Sequence, residues 1–165
     1  MRLWLAAFLT ATALILVGCP PVRGESVVKP VYEGISGSEL VQLMQDWGYR
    51  ADLDQDGEGD PRIQSSTGGL NFVVHFYECQ PDGAEPVCGS LSVGAVFEGA
   101  VNHGVDSMNH WNALNRFGKA YRADNGDLWV EMDIALEGGI SEANLRDWLA
   151  WWEAVLGKFA RHIDW

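Results

Sequence analysis

Residues 70–97, LNFVVHFYECQPDGAEPVCGSLSVGAVF, contain two alternating runs that pattern as the centre of a sheet. Its first arm alternates: Leu70, Phe72, Val74 and Phe76 fall on one side, Asn71, Val73, His75, Tyr77 and Cys79 on the other. The second arm alternates as well, with Leu91, Val93, Ala95 and Phe97 inward and Cys88, Ser90 and Ser92 outward. Period-two patterning of this kind marks half-buried strands. If Cys79 sits opposite Cys88, the same register sets Phe76 against Leu91, Val74 against Val93, Phe72 against Ala95 and Leu70 against Phe97. A disulfide therefore asks for the register that the hydrophobic pattern asks for. Free thiols are the alternative, and two cysteines alone make a poor metal site.

Working outward, Ser36 and Glu39 have capping-box spacing, and Leu40, Leu43, Met44 and Trp47 recur at three and four before Gly48. That pattern predicts a helix. Tyr49–Leu53 and Pro61–Ser65 read as short strands around an acidic turn at 54–60. Beyond the central hairpin, Asp106–Phe117 reads as a helix with Met108, Trp111, Leu114 and Phe117 on one stripe. Asn125-Gly126 is a strong hairpin signal between Lys119–Asp124 and Asp127–Leu136. A two-residue turn there places Arg122 opposite Trp129, within reach of a cation–π contact. Ser141 and Asn144 open a last helix with Leu145, Trp148, Leu149, Trp152, Leu156, Phe159 and Ile163 inward. The order is α-β-β-β-β-α-β-β-α, an α+β fold with helices packed against an antiparallel sheet.

The chain has 165 residues, 47% of them hydrophobic, and a net charge of −12. Such acidity disfavours nucleic acid and anionic membrane surfaces, which select clustered Lys and Arg. At the N-terminus, Arg2 precedes an apolar run from Leu3 to Val17, too short to span a bilayer and laid out like a signal peptide. The run ends in Leu16-Val17-Gly18-Cys19, which resembles the lipobox of bacterial lipoproteins. The resemblance implies cleavage before Cys19 and lipidation of that cysteine. Ordinary secretion, with cleavage after Val22-Arg23-Gly24, and an uncleaved anchor are the alternatives. The expected organisation is a signal peptide over 1–18, a tether over 19–33 and a domain over 34–165. Lipidation would account for the odd one of three cysteines and leave Cys79 and Cys88 as a pair, which an oxidising compartment preserves.

Motifs that carry chemistry are sparse. Asp52, Asp54, Asp56 and Gly57 match the first half of a calcium loop, with Asp60 at its ninth position. Its twelfth position is Ile63 where a bidentate Glu is needed, so an acidic turn is the plainer reading and calcium an alternative. His75, His103, His110 and His162 are scattered, with no metal-binding spacing, and no nucleophile elbow or phosphate loop is present. Neither an enzyme nor a resident cofactor is expected. Eight tryptophans are many for this length. Trp129 and Trp151 fall on polar faces of their elements and, with Arg122, are candidates for contact with a partner.

Asp56-Gly57, Gly59-Asp60-Pro61-Arg62-Ile63, Phe72-Val73-Val74, Phe76-Tyr77-x-Cys79 and Cys88 form an ordered set of motifs. Asn109-His110-Trp111-Asn112, Arg116-Phe117 and Leu136-Glu137-Gly138-Gly139-Ile140 continue it. Together they resemble the YbjN-domain family of bacterial sensory transduction regulators over roughly residues 35–163. The resemblance implies a fold similar to type III secretion chaperones, small acidic domains that bind other proteins and often pair. It supplies no catalytic residue. Export sets this chain apart from those cytoplasmic chaperones. The expectation is a lipid-anchored periplasmic interaction domain that binds a protein or peptide in a chaperone-like or regulatory role, with a homodimer as one arrangement. A ligand- or calcium-sensing module using residues 52–60 is the alternative.

Overall fold

The computed structural model describes residues 31–100 and 102–165. The expected signal peptide, Cys19 and all but the end of the tether lie outside the described residues. The chain forms β1 (Val31–Tyr32), β2 (Ile35–Ser36), α1 (Gly37–Asp46), β3 (Asp52–Gln55), β4 (Pro61–Thr67), β5 (Leu70–Asp82) and β6 (Glu85–Phe97). It continues with α2 (Val105–Leu114), β7 (Lys119–Arg122), β8 (Leu128–Ala135), β9 (Ile140–Ser141) and α3 (Glu142–His162). The expected α+β order is present, with three two-residue strands added. One of these corrects the tether: Val31 and Tyr32 pair with Ser141 and Ile140, so folded structure begins before residue 34.

The sheet runs β3-β4-β5-β6-β8-β7, with β2 beside the lower half of β6, and every pairing is antiparallel. Within the β5–β6 hairpin, Phe76 faces Leu91, Val74 faces Val93 and Cys79 faces Cys88, as the alternation predicts, and the two cysteines form a disulfide. Their facing is a correction, however, because Cys88 is fully buried and not turned outward. Glu78 takes a left-handed backbone (φ 56) and interrupts the ladder between the Tyr77–Ser90 and Cys79–Cys88 pairs. Past that interruption β2 lies against β6, with Ile35 opposite Cys88. Ser92 keeps its outward place but is only 6% exposed, since its small side chain lies between His75 and Asp133 of the flanking strands.

The inward residues of the sheet, α1, α2 and α3 close one core. Ser36 accepts the Glu39 N–H and Ser141 the Asn144 N–H, so both expected helix starts are capped by side chains. All seven residues expected to face inward on α3 are buried. Three features differ from expectation, the first being the strand expected at Tyr49–Leu53, which instead spans Asp52–Gln55 and takes in the start of the acidic turn. Helix α2 stops at Leu114, so Phe117 lies beyond it and Leu114 is 67% exposed. The hairpin between β7 and β8 has a three-residue loop, with the Ala123 N–H donating to Asp127 O and Gly126 at φ 93. That longer turn shifts the register by one, setting Tyr121, not Arg122, opposite Trp129.

Candidate functional site

Helix periodicity turns Trp148 and Trp152 into the core and leaves the intervening Trp151 55% exposed. The segment after α2 then shapes the surface around it. Asn115 is extended, and its Nδ2 donates to the Trp111 carbonyl, which closes the helix. Gly118, at φ 81, turns the chain into β7, and its carbonyl accepts the Trp111 Nε1–H at 2.7 Å. Phe117 is thereby laid over Trp151, with ring centroids 5.2 Å apart, and the Arg116 guanidinium lies over Phe117.

Two grooves meet at this aromatic pair. One, of about 440 Å³, runs between β8 and α3 and is walled by Met132, Ile134, Ile140 and Trp148, with Asp133 and Asp147 at its rim. The other, of about 180 Å³, lies between α2 and α3 and includes Trp111, Leu114, Arg116 and Lys158. A third hollow of about 240 Å³ adjoins it at His110, Arg161 and His162. Among the described residues, no carboxylate lines the second or third hollow. The surface is thus apolar along its floor, anionic at one end and cationic at the other, on a chain whose net charge is −12. A concave apolar surface with a few placed charges suits ligand or peptide recognition.

The family-motif residues Asn109, Trp111, Asn112, Arg116 and Phe117 divide between packing and surface. Trp111 is buried against Phe159. Asn112 does a strand's work from a helix: its Oδ1 accepts the Ala120 N–H and its Nδ2 donates to the Ala120 carbonyl, both at 2.9 Å. The outer edge of β7 is closed by that amide. Asn109 is exposed. Arg116 and Phe117 belong to the groove. Of the residues expected to meet a partner, only Trp151 borders it. Trp129 stacks on Tyr121 on the outer face of the sheet, and Arg122 donates to the His103 carbonyl at 3.5 Å. The groove's other half comes from Phe117 and β8, brought beside Trp151 by the turn at Gly118.

The acidic segment folds as a strand and hairpin turn. Asp52 pairs with Arg50, and Asp54 with Arg62 and Gln64, while Asp56 accepts the N–H groups of Glu58 and Asp60. The hydrogen bond from Arg62 holds the Asp54 carboxyl below its ordinary value, and the Glu58 N–H chiefly does the same for Asp56. Among the described residues, no three His, Cys, Asp or Glu side chains converge on a point that could hold a metal ion.

Three histidines that look scattered in the sequence come together. His162 Nε2 lies 3.1 Å from both Oγ and the carbonyl oxygen of Ser107, and His103 Nδ1 lies 3.3 Å from the same Oγ. His110 stacks on His162. A carbonyl can only accept, so His162 Nε2 carries the hydrogen and donates; it fastens the end of α3 to the first turn of α2. On the outer sheet face, Arg62, His75, Ser92 and Asp133 form one cross-strand row. Serine stands between histidine and aspartate there, whereas a nucleophilic triad needs the histidine in the middle. Burial, with Arg62 nearby, pushes the His75 imidazole below its ordinary value.

Among curated proteins, none matches the chain. A family model does, over residues 36–165, well over half of the chain and all three helices; its description is "Putative bacterial sensory transduction regulator". That description is of a regulator and names no reaction. On this match the chain belongs to the YbjN family.

Proposed function

We propose that this chain is a non-catalytic interaction domain of the bacterial envelope that binds a protein or peptide segment in a regulatory or chaperone-like role. The observation that carries the reading is the pair of apolar grooves meeting at Trp151 and Phe117. Large aromatic side chains left exposed beside a preformed groove are the usual anchors of protein interfaces. A regulatory role agrees with the family's description. A lipid on Cys19 would hold the domain at an envelope membrane, with the groove facing the periplasm. Crosslinking in the native cell, followed by mass spectrometry of the purified chain, tests both parts. A partner crosslinked to the wild type and lost in Trp151→Ser supports the reading, as does a diacylglyceryl mass on Cys19 for the anchor. Crosslinks indifferent to Trp151, or an unmodified N-terminus after Gly24, would count against them.

A further inference from the structure

Strand β7 pairs with β8 only from Leu128 to Glu131. Ala120 gives both main-chain groups to Asn112 on the outer side, so Ala120–Val130 is a pair without mutual bonds. Tyr121–Trp129 and Lys119–Glu131 are then the bonded pairs, because the two kinds alternate. Odd-numbered residues of β8 therefore aim their main-chain groups toward β7 and even-numbered ones toward β6. The Leu136 N–H, donating to Gly89 O, keeps that parity. Among the described residues, no strand lies on the β7 side of β8 past Glu131, since Gly118 has already turned the chain away. The N–H and C=O groups of Asp133 and Ala135, both exposed residues, stand along this edge.

The other open margins of the sheet are guarded. Outer β3 carries Asp52 and Asp54, β7 is closed by Asn112, and β5 beyond Tyr77 holds the kinked Glu78 and Pro81. Charges, prolines and covered edges are how sheets avoid pairing with strangers. Among the described residues, the Asp133–Ala135 edge carries one charge, Asp133, but no proline and no covering side chain, and it opens beside the 440 Å³ groove. Trp148, which lines that groove, has a buried Nε1–H that finds no acceptor among the described residues.

Resting on the reading of the chain as a peptide-binding domain, the geometry points to strand addition at this edge by an extended segment of a partner protein. Side chains opposite each other in a sheet share a face. Residues of the incoming strand opposite Met132 and Ile134 enter the groove and are apolar; the residue opposite Asp133 faces outward and is Lys or Arg. Asp147 at the groove rim adds to the same preference. The recognised pattern is apolar–basic–apolar, read by main-chain bonds for affinity and by alternate side chains for selectivity.

The test uses the full-length chain in detergent and the end-blocked peptide TVKVKVT. A second peptide is methylated on the lysine amide nitrogens, which deletes strand pairing and keeps every side chain. Binding of the parent peptide with slowed amide exchange at Asp133 and Ala135 is expected. Methylation and Ala135→Pro should each weaken it by about tenfold or more, the effect of losing one or two main-chain bonds. Asp133→Lys should turn the preference toward TVEVEVT. Equal binding of the methylated peptide, exchange protection elsewhere, or no binding at millimolar peptide would overturn strand addition. A dimer that Ala135→Pro dissociates would overturn it too, by making a second copy the occupant. If Ala135→Pro does not fold, the methylated peptide against the wild type decides alone. Failure here with a Trp151-dependent crosslink intact removes the strand and leaves the interaction domain standing.

Discussion

Replacing Asn112 by alanine separates a structural role from a binding role at one residue of the family motif. The amide makes two hydrogen bonds of 2.9 Å with the main chain of Ala120, and Ala120 is only 2% exposed. Truncation deletes both bonds and leaves a buried N–H and a buried C=O without partners. At roughly 1–2 kcal/mol for each group left unsatisfied, the loss is about 2–4 kcal/mol. For a domain of this size that lowers Tm by roughly 10 °C. Asn112→Asp is the sharper variant: it keeps an acceptor for the Ala120 N–H but sets a carboxylate against the Ala120 carbonyl. It should be at least as destabilised near neutral pH. Thermal and urea unfolding of both variants, followed by tryptophan fluorescence, measures this. A Tm for Asn112→Ala within a degree of wild type, with partner binding lost, would refute the edge-closing role and make Asn112 a contact residue.

Other consequences follow from the same structure. Removing the Cys79–Cys88 bond by substituting both cysteines with serine should cost about 2–3 kcal/mol in the chain-entropy model, and a reductant should lower the wild-type Tm comparably. Because the folded-state pKa of His75 lies below its unfolded value, the unfolded chain binds that proton first as pH falls. The neutral ring's contribution is complete above about pH 6.5 and is lost as pH drops through the folded pKa; His75→Gln should flatten that part of the stability–pH curve in urea titrations. Millimolar calcium should leave Tm unchanged, since Asp52, Asp54 and Asp56 are engaged by Arg50, Arg62 and local N–H groups. A calcium-specific rise of several degrees would favour the sensing alternative.

Where one face of an element is wholly buried, the sequence was a reliable guide. The alternation of Leu70–Phe76 against Leu91–Phe97 fixes a register that cannot slip without turning Phe72 and Val74 to solvent. The α3 stripe and both capped helix starts were legible for the same reason, one strong local preference agreeing with burial. Misreadings arose where one residue's backbone overrides the pattern. Cys88 faces inward where the ladder is interrupted at Glu78 and Ile35 lies opposite it, Gly126 lengthened a turn by one residue and moved Arg122 off Trp129, and Asn115 ended α2 before Phe117. Of the candidate site, Trp151 could be read from helix periodicity. Its groove could not, because Phe117, Ile134 and Asp147 meet only when Gly118 peels the chain from β8. The gathering of His103, His110 and His162 at Ser107 likewise has no local signature.

Photocrosslinking in the native cell distinguishes the groove from the outer sheet face as the binding surface. A photoreactive phenylalanine is placed in turn at Trp151, Leu114 and Ala135 around the grooves, and at Tyr77 and Val96 on the outer sheet face. All five positions are exposed. One protein adduct shared by the three groove positions and absent from the two on the sheet is expected. Adducts confined to Tyr77 and Val96 would contradict it and move the interaction surface to the opposite face of the domain.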